Sequence, residues 1–146
     1  MSASFSIDRE TGSIHIADTV FLKPGEHKVV VEPQVRDLVD GSQDHGNGFE
    51  WLNLDRLTFG GLPAHLSLCF HENLLEQASW SVRLPGAETD DGWPIREAID
   101  AEVAFVLRTL TDEMGIHAGL FPWGEIWSSF DAKGFIAANG LRYRRA

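Results

Sequence analysis

The chain has 146 residues, 43% hydrophobic and 23% charged, which is the length of one domain and the composition of a chain able to bury a core. Twelve Lys and Arg against 22 Asp and Glu leave a formal net charge of -10, which repels phosphate backbones and anionic lipid and sets nucleic-acid binding aside. The single Cys69 excludes an internal disulfide and a Cys-x-x-Cys zinc site, and Met1 to Phe5 carry no basic leader ahead of an apolar run. A cytoplasmic chain with no membrane span is the expectation.

In chain order, Phe5-Ser6-Ile7 and Ile14-His15-Ile16 alternate apolar and polar residues on either side of a turn through Gly12, which predicts a hairpin. Pro24-Gly25 marks a turn, and the β-branched run Val29-Val30-Val31 predicts a strand stopped by Pro33. A competing reading makes Gln34 to Val39 a short helical turn closed by Gly41. Gly41 to Gly48 is polar and glycine-rich and reads as an exposed loop. Phe49 to Phe59 adds a strand before Gly60-Gly61 turns the chain.

The clearest β signal lies in the middle. Leu66, Leu68 and Phe70 alternate with His65, Ser67, Cys69 and His71, while Leu74, Glu76, Ala78, Trp80, Val82 and Leu84 form one alternating set that Glu76 alone interrupts. Joined at His71-Glu72-Asn73, the two runs predict an antiparallel hairpin with one apolar and one polar face. Pro85 to Gly92 breaks the pattern. From Ile95 to Met114 a helix is predicted, with Pro94 in its first turn, an apolar stripe of Ile99, Val103, Val106, Leu107, Leu110 and Met114, and Gly115 as its stop. Trp123 to Phe130 and Phe135 to Tyr143 then form a closing hairpin, with Asn139 the one polar residue on an otherwise apolar face. These elements assemble as one α+β domain over residues 1–146, an antiparallel sheet of several strands with the long helix packed on a face.

Three groups of residues are candidates for function. His65, Cys69 and His71 share a strand face, but positions two apart are separated by roughly 7 Å, so a common ion or a nucleophile–base pair needs local distortion. The ordinary reading is a half-exposed face bearing a plain thiol. The acidic residues Glu88, Asp90, Asp91, Glu97, Asp100 and Glu102 surround the helix start, where they complement the helix dipole and form a solvated face. No EF-hand, phosphate-binding glycine loop, nucleophile elbow or His-Glu-x-x-His stretch is present, so no catalytic residue, metal ligand or cofactor is assigned. The five tryptophans stand out in so short a chain. Trp123 and Trp127 would share one face of a regular strand, with Ile126 and Phe130 on the other, and such a strand is either sandwiched or presents a tryptophan to a partner.

The block from Phe121-Pro122-Trp123-Gly124-Glu125-Ile126-Trp127 through Asp131-Ala132-Lys133-Gly134 to Gly140-Leu141-Arg142-Tyr143, together with the opening Phe5 to Ile14, resembles small bacterial proteins of the immunity type found in polymorphic-toxin, contact-dependent and type VI secretion systems. That resemblance implies a non-enzymatic protein that occludes a cognate toxin, and it carries over no site residue. An acidic chain suits a basic toxin, since opposite charge speeds encounter and buried aromatics then hold the complex. The expected partner surface comprises Glu88, Asp90, Asp91, Trp93 and Trp127. The alternative is a small hydrolase or metal-dependent enzyme using His65, Cys69 and His71.

Overall fold

Alternation around Gly12 produces the first hairpin. In the computed structural model, which describes residues 2–86, 89–90 and 92–145 with the side chains of Thr89 and Asp90 excepted, β1 (Ala3–Ile7) pairs antiparallel with β2 (Ile14–Ile16). Phe5 lies opposite Ile16, and β3 (Val20–Leu22) continues the meander. Phe5, Ile7, Ile14, Ile16 and Leu22 all point inward and are buried.

The valine run corrects the sequence expectation. Lys28–Val35 is a helix, α1, although it contains Pro33. Val31 and Val35, one turn apart, are fully buried, while Val29 and Val30 face out. Burial at i and i+4 outweighs the weak strand preference of β-branched residues, and the His27 imidazole caps the start by accepting from the Val29 N–H at 3.1 Å. A 3-10 turn over Arg36–Leu38 follows, close to the competing helical-turn reading, but Gly41 does not close it. Gly41 instead lies inside β4 (Val39–Asp44), so the loop expected from Gly41 to Gly48 shrinks to its second half. The polar side chains of β4 are exposed, and its backbone pairs on one side along β5 (Phe49–Phe59).

Next come β6 (Leu62–His71) and β7 (Leu74–Val82). They turn through Glu72 and Asn73, both at positive φ (51° and 68°), the conformation that a two-residue hairpin loop requires. Opposite Cys69 and Phe70 the ladder slips by one residue, because Phe70 faces Leu75 while Cys69 faces Gln77. Glu76 is the extra residue. This bulge explains why Glu76 interrupted the alternation: it resets the parity, so Leu75 is buried and Leu74 is exposed, the reverse of the even-numbered set expected from sequence.

A two-residue hairpin, β8 (Thr89–Asp90) with β9 (Trp93–Pro94), precedes α2 (Arg96–Met114). Pro94 therefore ends a strand rather than opening the helix, whose N-cap is Ile95. At the other end Gly115 adopts the left-handed conformation expected of a stop (φ 67°), and the Ile116 N–H bonds back to the Leu110 carbonyl at 2.8 Å. Ile99, Val106 and Leu110 are buried, Val103, Leu107 and Met114 only half-buried, and Thr109 joins the buried side. The chain closes with β10 (Gly119–Phe121), β11 (Gly124–Asp131) and β12 (Ile136–Tyr143).

Apart from the β8–β9 pair, the strands form one sheet in the order β10-β11-β12-β7-β6-β5-β1-β2-β3, with β4 beside β1 on the same edge of β5. β5 is long enough for two partners: β4 runs antiparallel along Glu50 to Leu54, and β1 runs parallel at Leu57 and Thr58. That parallel pair makes an otherwise antiparallel sheet mixed. One face carries the core, closed by α1, α2 and the β1–β3 meander. α2 docks where Gly60 lets it approach, since a Cβ there would lie 2.8 Å from the Phe105 ring and 2.7 Å from the Thr109 hydroxyl. The two blocks that carried the family resemblance meet across this core. Trp123 covers Gly12 and donates from Nε1 to the Arg9 carbonyl at 2.9 Å, and the Tyr143 hydroxyl donates to the Gly12 carbonyl at 2.5 Å.

Candidate functional site

Strand parity puts small and polar side chains on the face of the sheet away from the core. β7 contributes Ser79 and Ser81 and β12 contributes Ala138 and Gly140, so the middle of this face is low. His65 and Ser67 on β6 and Trp127 on β11 stand on either side. A trough of 380 Å³ results. It shares His65, Ser81, Ile136 and Ala137 with a second cavity of 610 Å³, which continues past the ends of β7 and β12 to α2 and is lined there by Arg83, Pro94, Ala98 and Glu102. The two are one groove. Trp127 lines one end and Pro94 the other; Trp93, next to Pro94 in the chain, lies outside the lining with 65% of its surface accessible.

The groove bends at Glu102. Beyond the Trp80–Asn139 pair, β7 and β12 no longer pair with each other. The Glu102 carboxylate enters this gap, accepting from the Val82 N–H at 3.1 Å and from the Asn139 amide at 2.8 Å. Asn139 also donates to the Trp80 carbonyl and accepts from the Ser128 hydroxyl at 2.6 Å. Burial pushes the Glu102 pKa up, and the two donated hydrogen bonds pull against that shift without cancelling it. Grouping Glu102 with the solvated acidic residues was therefore mistaken; it is the polar partner of the one polar residue on the inner face of β12. The Asn139 exception was the sequence signal for it.

The predicted site residues divide. Trp127 lines the groove, whereas Trp93 does not and only adjoins it through its neighbour Pro94. Trp93 projects from the β8–β9 hairpin beside Pro94, and Trp127 is half-buried against Gly140, where a Cβ would meet its ring at 2.7 Å. Glu88 and Asp91 lie outside the described residues, and of Asp90 only the backbone, paired with Trp93, is described. Trp123 does not share a face with Trp127, because Gly124 in an extended positive-φ conformation (154°) separates it from the regular strand and it turns into the core.

His65, Cys69 and His71 do not converge. Cys69 is buried at 2% exposure, with Trp51 and Gln77 as its cross-strand neighbours, rather than half-exposed. Burial and then the nearby Glu76 charge push its thiol up to about 11, so it stays protonated at neutral pH. His71 stacks on Phe49 with ring centroids 4.4 Å apart and faces Glu76. His65 points the other way, toward Asp55 at 3.6 Å. No sequence signal marked Asp40 or Asp55, since both owe their positions to irregularities in strand pairing.

Among the described residues no helix is long and apolar enough to cross a membrane. Comparison of the chain with protein-family models, with curated proteins and with solved structures finds no match.

Proposed function

We propose that this chain is a non-enzymatic protein-binding protein, of the immunity type that its terminal blocks resemble, and that it receives a segment of a basic toxin in the groove lined by Trp127 and Pro94, with the exposed Trp93 beside it. The observation that carries this reading is the groove itself. It runs along the outer face of β7 and β12 and on to α2, with Trp127 in its lining and the exposed Trp93 following next to Pro94 at the other end. Tryptophan in such a position supplies large contact area at small entropic cost, and the floor of serine and alanine leaves room for the partner's side chains. The net charge of -10 favours a basic partner through long-range attraction. With its thiol buried and held protonated by that burial and the Glu76 charge, Cys69 is poorly suited to serve the hydrolase alternative as a nucleophile.

The test is protection. Co-expression of the chain with the product of an adjacent toxin-like reading frame should rescue growth, and the purified pair should form a stoichiometric complex. Trp93→Ala and Trp127→Ala should each shorten residence time by tenfold or more, as loss of an anchoring aromatic does. Leu120→Ala, exposed on the far edge strand, should change nothing. Failure to protect, or protection and binding indifferent to both tryptophans, would overturn the reading.

A further inference from the structure

Asp40, Asp55 and His65 come from three neighbouring strands, and one donor atom from each lies within 4.8 Å of the other two. Two irregularities bring them together. The β4–β5 ladder slips between Val39 and Gly41, which makes Asp40 the extra residue, and the β5–β6 ladder slips between Leu54 and Leu57, which places Asp55 and Arg56 opposite the single His65. Arg56 takes a left-handed conformation (φ 59°) to allow it. Bulges in adjacent ladders that both re-aim a carboxylate toward one imidazole are a specific arrangement, and side-by-side bulges of this kind weaken the sheet they interrupt.

The electrostatics leave this arrangement incomplete. Like charges on neighbouring strands repel, and among the described residues neither Asp40 nor Asp55 has a lysine or arginine within ion-pair distance. The Asp55 carboxylate accepts from the Arg56 N–H at 2.7 Å and lies 3.6 Å from the His65 imidazole. Asp55 and His65 both line the 610 Å³ cavity, which leaves space on that side for water or for an oxygen of a bound molecule.

We infer that Asp40, Asp55 and His65 form a binding site for a divalent transition-metal cation of the Zn²⁺ or Mn²⁺ kind. Two carboxylates with one imidazole make a mixed oxygen–nitrogen set, which suits these ions better than it suits Mg²⁺ or Ca²⁺, whose preference is for oxygen alone. Three protein donors leave positions open toward the cavity, as in metal sites that bind a further ligand. The cation offsets the repulsion between the two aspartates, and it would sit on the groove independently of whether the groove holds a toxin.

The test titrates the full chain with Zn²⁺ and with Mn²⁺ separately, by calorimetry for both and by electron paramagnetic resonance for Mn²⁺. One ion per chain should bind. His65→Ala, Asp40→Asn and Asp55→Asn should each weaken it by at least about tenfold, while His45→Ala and His117→Ala, both outside the set, should leave it unchanged. All three donors are exposed or half-exposed, so the variants should keep the wild-type melting temperature in chelator, which separates lost binding from lost folding. Absence of binding at micromolar metal, binding that survives all three substitutions, or equal competition by Mg²⁺ would each overturn the inference.

Discussion

The two faces of the central hairpin are made by the same strands and obey opposite rules. On one, Leu66, Leu68 and Phe70 are fully buried beneath the helices and the β1–β3 meander; on the other, His65 and Ser67 border an open groove, and only Cys69 is covered. Trp123 and Trp127 repeat the contrast within one stretch of chain. Trp123 is pinned by a hydrogen bond to the Arg9 carbonyl and closes the core over Gly12, whereas Trp127 lies on Gly140 at the groove. Residue type does not separate these roles. Position relative to the sheet does, because a side chain directed inward contributes transfer free energy and packing while one directed outward remains free to meet a partner.

The sharpest way to break this comparison is to truncate one residue on each face. Leu68→Ala should cost roughly 2–5 kcal/mol in chemical denaturation, and Ser79→Ala less than about 0.5 kcal/mol. Equal losses would mean that the outer face is also core. Gly12→Ala should cost roughly 2–4 kcal/mol, since it adds a Cβ 2.5 Å from the Trp123 ring at a backbone φ of 76°. Wild-type stability there would detach the N-terminal hairpin from the closing one.

Glu102 sits where the two faces meet. Glu102→Ala leaves the Val82 N–H without its acceptor and should cost roughly 1–3 kcal/mol at neutral pH, whereas Glu102→Gln retains an acceptor and should lose less. Burial raises the folded-state pKa above the usual 4.5, so the folded chain holds this proton more tightly than the unfolded one. The stability that this group contributes is full below 4.5 and is lost as pH rises through the folded value. The difference in unfolding free energy between wild type and Glu102→Gln should therefore decline with rising pH across the acidic range. A flat difference would mean that the carboxylate is solvated after all.

The smallest effect belongs to Trp93→Ala. With about two-thirds of its surface exposed, Trp93 should shift the melting temperature by no more than a degree or two while changing partner residence time. A large loss of stability would make it a structural residue rather than one free to meet a partner.

Much of the fold was legible because local periodicity is a local signal. The first hairpin, the strand Phe49–Phe59, the central hairpin, the α2 stripe with its Gly115 stop and the closing hairpin all follow from alternation, helical spacing and turn residues within one element. α1 was not legible as a helix: the same valines suit a strand, and only the buried slots that receive Val31 and Val35 decide between them. β4 was not legible either, since its polar residues bury nothing and it forms because β5 offers an unpaired edge.

Of the candidate groove, the sequence by itself marked Trp127, the acidic charge and the polar strand face. Tertiary structure decided the rest. Which tryptophan is core, that Glu102 fills a gap between β7 and β12, and that Asp40 and Asp55 stand beside His65 all depend on strand order and on bulges that shift parity by one residue. A single-residue shift reverses which side of a sheet every following side chain occupies, and its energy comes from contacts made far along the chain, so no local pattern contains it.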